Sequence, residues 1–267
     1  RSTWDELLRI ANLAYCKGTN EFVVCASSYQ PWLDRKYDDD NSKHPYIFHR
    51  LNPNWATSGK FWNYQARCSQ LLREGRPVVD LCIYLGEDLP LKTMAYKLPI
   101  VPEGYNALMH RFSVASQDTA QGRLAVSGGM RYKALVIQDR TFVSAEAQRK
   151  IEQLERGGVP VIWCNRGETV AEGLRRHGIG PDLALRSADK PDDKVCFYHR
   201  QADGADIYFV YNHSSNDYDA PVTLRTKFGT AEIWNPYTVE RKKASMTAGK
   251  TVQLHLEPYQ SAFIVAR

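Results

Sequence analysis

The 267-residue sequence lacks the signals that would assign it to a membrane or targeting class. Its longest apolar runs, such as Ala134–Gln138 and Val159–Cys164, have the length of buried strands. They are far shorter than the roughly 18 residues of a membrane span, so we expect no membrane partner. The chain opens at Arg1 without a basic segment followed by an apolar one. We therefore expect it to begin in mid-protein or after the removal of a leader.

Clustered positive charge is also scarce, although the formal net charge is +5. Lys and Arg are scattered along the chain, and the one local run, Arg241–Lys243, is interpreted as a solvated turn. Weak nucleic-acid binding is conceivable at this net charge. The sequence has neither a clustered basic face nor a recognised nucleic-acid motif, so we expect no nucleic-acid partner.

Metal, redox and nucleotide motifs are missing as well. The six cysteines form no C-x-x-C pair, and neither G-x-G-x-x-G nor a P-loop occurs. Cys164 leaves one alternative open, because it ends an apolar strand and precedes a helix whose N–H groups would lower the pKa of a thiol. The sharp Gly-x-Cys-x-Gly turn that holds the nucleophile of class I amidotransferase-like folds is absent around it. An inert structural cysteine is the favoured interpretation.

Three segments with different periodicity are present, and the first contains two helices. Trp4–Leu13 has the apolar spacing of an amphipathic helix, and Glu21–Ala26 reads as a short buried strand. A second helix is predicted over about Phe61–Glu74, with Gly75 as its terminator. The irregular stretch Ser27–Lys60 between them is rich in aromatic residues, and loops of such length are uncommon unless they are functional or disordered.

The second segment alternates strands and helices. Strands are predicted at Pro77–Leu85, Tyr132–Gln138 and Val159–Cys164. Helices are predicted after the N-cap Ser144, with Ala147, Ile151 and Leu154 facing inward, and over Gly167–His177. This alternation indicates an α/β fold with a parallel sheet and right-handed crossovers.

The third segment changes to a period of two, with short apolar runs separated by turn residues. The predicted strands are Val195–Arg200, Ala205–Tyr211, Val222–Thr226, Ala231–Trp234, Thr251–Leu256 and Ala262–Ala266. Many short strands with turn signals between them indicate an antiparallel β-sandwich.

Several stretches, in the same order along the chain, resemble the α-L-rhamnosidases of glycoside hydrolase family 106. They are Leu13–Gly18 (LAYCKG), Phe22–Leu33 (FVVCASSYQPWL), His49–Trp55 (HRLNPNW), Phe61–Cys68 (FWNYQARC), Pro77–Asp88 (PVVDLCIYLGED), Gly122–Val136 (GRLAVSGGMRYKALV), Glu232–Pro236 (EIWNP) and Glu257–Val265 (EPYQSAFIV). The resemblance covers nearly the whole chain, and its specificity lies in the sum of these pieces.

The resemblance implies the C-terminal portion of a secreted, periplasmic or extracellular glycosidase. Residues 1–76 would be the end of a catalytic (β/α)₈ barrel, residues 77–190 a flavodoxin-like α/β domain, and residues 191–267 a small antiparallel β-sandwich. Most of the barrel would lie upstream of Arg1. The implied reaction is the inverting hydrolysis of terminal rhamnosides in plant polysaccharides or glycosides, with calcium in the full enzyme. The oligomeric state is left open.

Residues of the long loop after the Glu21–Ala26 strand are the candidates for sugar contact, because barrels place their sites at the C-terminal ends of strands. Aromatic rings offer flat faces to sugars, and amide, imidazole and guanidinium groups bond to hydroxyls. The candidates are Tyr29, Gln30, Trp32, His49, Arg50, Asn52 and Trp55.

A catalytic pair of opposed carboxylates cannot be assigned within the chain. Glu21 lies at the wrong end of its strand, Asp34 is a weak candidate, and Glu87-Asp88 are adjacent in sequence and cannot face each other across a substrate. The run Asp38–Asn41 could offer oxygen ligands to calcium, but it lacks the spacing of a calcium loop. We therefore predict that this chain lacks the catalytic pair. The alternative is a non-catalytic carbohydrate-binding or structural module.

Overall fold

A computed structural model describes residues 3–24, 33–34, 48, 50, 52–86, 101–110, 118–126, 129–138, 142–185 and 195–267. The helices of these residues are α1 (Trp4–Cys16), α2 (Ser58–Arg73), α3 (Ala145–Arg156) and α4 (Val170–Arg176). The strands are β1 (Arg76–Val78), β2 (Leu81–Tyr84), β3 (Ala107–His110), β4 (Asp118–Ala120), β5 (Arg123–Ala125), β6 (Arg131–Tyr132), β7 (Ala134–Ile137), β8 (Val161–Trp163), β9 (Leu183–Ala184), β10 (Val195–Ala202), β11 (Ala205–Asn212), β12 (Tyr218–Leu224), β13 (Ala231–Trp234), β14 (Arg241–Ala244), β15 (Thr251–Leu256) and β16 (Ser261–Ala266). Within this described part of the chain, no helix has the length and apolar character needed to cross a membrane.

The predicted first helix is confirmed as α1 and extends one turn further than expected. Its start is fixed by a reciprocal capping box, in which the Thr3 hydroxyl accepts from the Glu6 N–H at 3.2 Å and the Glu6 carboxylate accepts from the Thr3 N–H at 2.8 Å. The face that contains Ala11 and Tyr15 is buried. The Tyr15 ring packs against Phe209 of β11 at 5.6 Å, so α1 is seated on the C-terminal sheet.

The second predicted helix is confirmed as α2, and Gly75 follows its C-cap with a positive φ of 55°. A Cβ atom at Gly75 would lie 1.9 Å from the Gln201 carbonyl oxygen, so only glycine fits there. The Tyr64 hydroxyl of α2 lies 2.5 Å from the Asn12 amide oxygen and 2.6 Å from the Ser261 hydroxyl. These bonds join both helices to β16.

The strand predicted at Glu21–Ala26 is not formed at Glu21–Val24, which has no regular secondary structure. Cys25 and Ala26 lie outside the described residues. A strand requires a neighbour to accept and donate its backbone hydrogen bonds, and no described strand lies beside this segment. As a result, the Val23 side chain is 98% exposed.

The parallel sheet predicted for the second segment is confirmed, with the strand order β3-β2-β7-β8. All residues of β2 and β7 are buried, because helices cover both faces. Ala147, Ile151 and Leu154 of α3 share a core with Cys82 and Tyr84 of β2. On the opposite face, the core holds Val170 and Leu174 of α4 and Leu81 and Ile83 of β2.

Two of the predicted strands are each divided between different sheets. Pro77–Leu85 forms β1, which pairs antiparallel with β10, and then β2 of the parallel sheet. Tyr132–Gln138 is likewise divided at Lys133 between β6 and β7. The carbonyl oxygen of Asp80 accepts from the N–H groups of Lys133 at 2.7 Å and of Ala134 at 3.1 Å. The points at which the two predicted strands are divided are therefore hydrogen-bonded to each other.

The third segment forms two antiparallel sheets with the orders β1-β10-β11-β16-β13-β14 and β15-β12-β9. Their facing side chains share one buried core, which includes Tyr208 and Val210 of β11 and Val222 and Leu254 of the smaller sheet. β13 and β15 have the predicted bounds, and the other predicted strands are present with slightly longer or shifted ends. β1 and β9 join these sheets from outside residues 191–267, while the three domain boundaries stay predictions.

The prediction of a solvated turn at Arg241–Lys243 is wrong, because these residues belong to β14. β14 is the last strand of its sheet, and its three basic side chains are exposed. Charged residues are common on edge strands, where they oppose pairing with another chain. The charge run was therefore correctly placed in solvent but assigned to the wrong element.

Candidate functional site

Five aromatic rings from both helices and the intervening loop form one cluster, here called the aromatic cluster. Trp62 of α2 lies at its centre, with ring centroids 4.9 Å from Phe61, 5.6 Å from Phe48 and 6.5 Å from Trp55. Trp4 of α1 closes it at 5.0 Å from Phe61. The tilted and edge-on orientations are those that aromatic pairs prefer.

A tight turn built on Asn52 holds Trp55 in this cluster. The side-chain oxygen of the buried Asn52 accepts a hydrogen bond from the Asn54 N–H at 2.9 Å. The backbone carbonyl oxygen of Asn52 accepts one from the Trp55 N–H, also at 2.9 Å. The Trp4 indole N–H donates to the Asn54 carbonyl oxygen at 2.8 Å. The backbone path from Asn52 to Trp55 is therefore set by hydrogen bonds to its own side chain and to α1.

The structure locates three of the seven residues predicted to contact sugar. Asn52 and Trp55 come together in this turn, with Trp55 half-buried, and Arg50 is exposed just before it. Four candidates lie outside the described residues: Tyr29, Gln30, Trp32 and His49. Sugar contact by any of the seven stays a prediction.

An apolar groove with a volume of about 670 Å³ lies beside the aromatic cluster, between α1, α2 and the segment Glu21–Val24. Phe48, Phe61 and Trp62 line both the groove and the cluster. Arg50, Asn52 and Trp55, the three predicted residues that the structure describes, do not line it. The signal for it was present in the apolar run Phe22–Val24, which the sequence analysis assigned to a buried strand.

Glu21 is the one carboxylate among the described residues that line the groove. It forms a 3.5 Å ion pair with Arg73, and both side chains are more than half exposed. The expected surface role fits this geometry, because such an exposed pair contributes little. Asp34 is exposed, while Asp38–Asn41 and Glu87-Asp88 lie outside the described residues. The described part of the chain holds no group of three or more His, Cys, Asp or Glu side chains placed to bind a metal.

Cys164 does not have the position that its proposed reactivity required. It begins a single 3-10 turn, Cys164–Arg166, and α4 starts only at Val170. The N-terminus of α4 is capped by Thr169, whose hydroxyl accepts from the Glu172 N–H at 3.2 Å. Cys164 packs against the apolar core below α4. Its environment is that of a structural cysteine.

Sequence reasoning missed a buried ionic network between the parallel sheet and the antiparallel sheets. The Arg225 guanidinium binds both Asp80 carboxylate oxygens, at 2.6 and 3.0 Å, and Asp182 at 3.0 Å. Asp182 also contacts His199 Nδ1 at 3.0 Å, and Asp206 lies 3.4 Å from His199 Nε2. The two aspartates and the histidine are at most 2% exposed. These five residues are called the ionic network below.

The two aspartates control the protonation of His199. Burial alone would lower the pKa of the imidazole, but the hydrogen bonds and charges of Asp182 and Asp206 outweigh burial and raise it. The Tyr208 ring stacks on the imidazole with centroids 3.9 Å apart. This arrangement favours the protonated form of the enclosed His199.

Comparison with known proteins assigns the family. The sequence model of a family described as alpha-L-rhamnosidase, glycoside hydrolase 106, matches residues 2–165 and 163–248. The chain belongs to this family. The predicted resemblance is thereby confirmed, and the chain is a glycoside hydrolase-like module.

Two relatives define how much of a longer protein the chain resembles. A protein of Formosa agariphila named "Putative beta-glucuronidase" is 25% identical over 98% of this chain, which spans 26% of that protein. A solved rhamnosidase from Novosphingobium sp. PP1Y is 22% identical and superimposes over 100% of this chain and 30% of its own, with a TM-score of 0.82. The fold of this chain is thus present within a rhamnosidase, and both relatives are more than three times as long as the aligned part.

Proposed function

We propose that this chain is the C-terminal part of an α-L-rhamnosidase-like glycoside hydrolase that removes terminal rhamnose from plant polysaccharides or glycosides. The observation that carries the proposal is the family match along almost the entire chain. The small share of each relative that the chain spans supports the further proposal that the catalytic carboxylates lie elsewhere in a longer protein. A periplasmic or extracellular location is part of the same proposal.

In this proposal, residues 1–76 complete a (β/α)₈ barrel, residues 77–190 are flavodoxin-like and residues 191–267 form a β-sandwich. The segment Glu21–Val24, which has no strand partner among the described residues, supports the first assignment, because a barrel strand would receive its backbone partners from neighbouring strands. The apolar groove beside it has the character of a surface that another part of a barrel covers. The shared core of the two antiparallel sheets supports the third assignment.

The loop residues would contribute sugar contacts to a site whose acid and base come from other barrel strands. Trp55, held by the Asn52 turn beside Trp62, offers an aromatic face for this purpose. Calcium in the full enzyme stays part of the family expectation. The described residues of this chain hold no cluster of acidic or histidine ligands for it.

Activity of the purified 267-residue chain tests the proposal directly. We expect no hydrolysis of an aryl rhamnoside above the rate in buffer, because Glu21 is the one carboxylate among the described residues that line the groove and it is paired with Arg73. Turnover that is lost in a Glu21→Gln variant would refute the assignment of catalysis to another part of the protein. Calorimetry with plant-wall oligosaccharides separates sugar binding without turnover, the carbohydrate-binding alternative, from a purely structural role.

A further inference from the structure

A second cavity lies away from the aromatic cluster, and many of its lining side chains are basic, whereas those of the first groove are mainly apolar. It is a cleft of about 810 Å³, formed between the β1–β10 edge of the six-stranded sheet and the β5–β6 hairpin. Its volume is within the range of about 300–1,000 Å³ that is typical of small-molecule sites. Pro77, Val78, Val79 and Met130 give it apolar walls. It is called the basic cleft below, because its described lining includes five Lys and Arg side chains and one carboxylate besides the buried His199: Arg76, Arg123, Arg131, Lys133, Arg225 and Asp80.

The carboxylate of the basic cleft is already neutralised by two of the five cationic side chains. Asp80 is 4% exposed, accepts both bonds of the Arg225 fork, and lies 3.3 Å from the Lys133 ammonium. Asp182 forms an ion pair with Arg225, and Asp206 lies beside His199. These three carboxylates therefore face into the ionic network.

The other three cations have no such partner. Arg76, Arg123 and Arg131 are exposed, and none of them forms an ion pair with a residue in the described part of the chain. A guanidinium keeps its charge at all ordinary pH values and presents a planar fork of donors. Among the described lining residues, the basic cleft thus holds three guanidinium groups without an ion-pair partner and one carboxylate, Asp80, which is paired.

Strand register explains why these arginines share one cavity. On β1, Arg76 is paired with Gln201 and Val78 with His199, and alternate residues of a strand point to the same face. On the hairpin, Ala125 is paired with Arg131, and Arg123 is two residues before Ala125. Arg76 therefore approaches from one wall, and Arg123 and Arg131 approach from the other.

We propose that the basic cleft binds a uronate residue, that is, a sugar that bears a carboxylate. Paired guanidinium donors match the two oxygens of a carboxylate, and such charge-assisted bonds are about twice as strong as neutral ones. The apolar side chains of the walls contact the C–H faces of a sugar ring. The choice of a sugar rests on the proposed function, whereas the preference for an anion rests on the cleft alone.

Calorimetry with the 267-residue chain tests this site with digalacturonate as the probe and a neutral digalactoside as its matched control. We expect digalacturonate to bind, the digalactoside to bind at least about tenfold more weakly, and added salt to weaken the uronate binding. Equal binding of the two sugars, or no binding of digalacturonate, would overturn the proposal. Binding of inorganic sulfate in competition, at an affinity equal to that of digalacturonate, would also overturn it by showing a simple anion site.

Variants connect the binding to the named arginines. The double substitution Arg123→Ala and Arg131→Ala removes two exposed side chains and is expected to weaken digalacturonate binding about tenfold or more. Arg149→Ala with Arg175→Ala removes the same charge from exposed positions on α3 and α4 that do not line the cleft, and is expected to leave binding unchanged. An equal loss in both variants would mean that net charge alone attracts the probe. Arg76→Gln tests the other wall, and circular dichroism establishes that each variant is folded.

Failure of this proposal and failure of the rhamnosidase proposal can be told apart. Turnover of an aryl rhamnoside by this chain would refute the proposed division of labour but would leave the calorimetric preference for digalacturonate intact. Conversely, loss of that preference would remove the basic cleft as a site and leave the family assignment untouched.

Discussion

The C-terminal sheets and the N-terminal helical region differ in how far their apolar side chains are buried. Every residue of β11 and of β16 is buried. In the N-terminal region, Ile10 is 60% exposed and Val23 is 98% exposed. The sheets close their own core, whereas the helical region presents an apolar surface of the kind that marks an interaction site.

The difference arises from what covers each backbone segment. β11 lies between β10 and β16, so both of its edges are hydrogen-bonded. One of its faces packs Phe209 against α1, and the other packs Tyr208 and Val210 against the smaller sheet. Glu21–Val24 has a similar apolar composition but no strand partners among the described residues, and it packs on one side only, where the Phe22 ring lies 5.2 Å from Tyr15. Composition alone does not bury a strand.

The largest expected effect of a substitution on stability is in the C-terminal sheets, called the covered region below. Phe209 is fully buried and its ring lies 5.1 Å from Phe263 and 5.6 Å from Tyr15. We expect Phe209→Ala to lower the free energy of unfolding by about 3–5 kcal/mol, because it leaves a cavity between α1 and the sheet. Chemical denaturation measures this change. A loss below about 1 kcal/mol would show that this core is loosely packed, and the contrast between the two regions would fail.

β13 and β15 are the strands whose bounds were predicted correctly. β13 is joined to its partner β14 by one turn, whereas β15 pairs with β12, which is more distant in the chain. In both cases the period of two and the flanking turn residues located the strand. The break at Asp80 could not be found in this way. It depends on Arg225, which is 145 positions away and holds the Asp80 carboxylate at the junction of two sheets.

The candidate site was predictable to a smaller extent. The aromatic and polar residues of the Asn52 turn were identified from their composition, but their burial and the groove beside them depend on how α1 and α2 pack. The basic cleft was hidden because Arg76, Arg123 and Arg131 are spread over more than fifty positions. The scattered basic residues therefore indicated no charged face until the fold brought three of them to one cavity.

The ionic network should make the stability of the covered region depend on pH. The pKa of His199 is raised in the folded state, so protonation stabilises the fold fully below the unfolded value of about 6.5, and this contribution is lost as pH rises through the folded pKa. We expect the free energy of unfolding to decline above about pH 6.5. Denaturation curves at a series of pH values measure the slope.

Matched histidine variants isolate the origin of that slope. His199→Gln removes the buried imidazole between Asp182 and Asp206, and is expected to abolish the decline above pH 6.5. His255→Gln changes a side chain that is 57% exposed and lies 3.9 Å from Asp219, and is expected to retain it. The same slope in both variants would assign the pH dependence to groups outside the ionic network.

The smallest effect on stability is expected in the N-terminal helical region, at Val23. Val23→Asp should change the free energy of unfolding by no more than about 0.5 kcal/mol, because a side chain that is 98% exposed loses no packing. The new charge should also reduce any self-association through the apolar groove that Val23 lines. Denaturation and sedimentation velocity measure the two quantities.

The control for Val23→Asp places the same charge on a surface that is not apolar. Ala248→Asp lies in the exposed turn between β14 and β15, and is expected to change neither stability nor association. A loss of several kcal/mol in Val23→Asp alone would mean that the isolated chain buries Val23 against itself in solution. The N-terminal region would then close its own core as the sheets do, and the groove would not be a surface that awaits another part of a barrel.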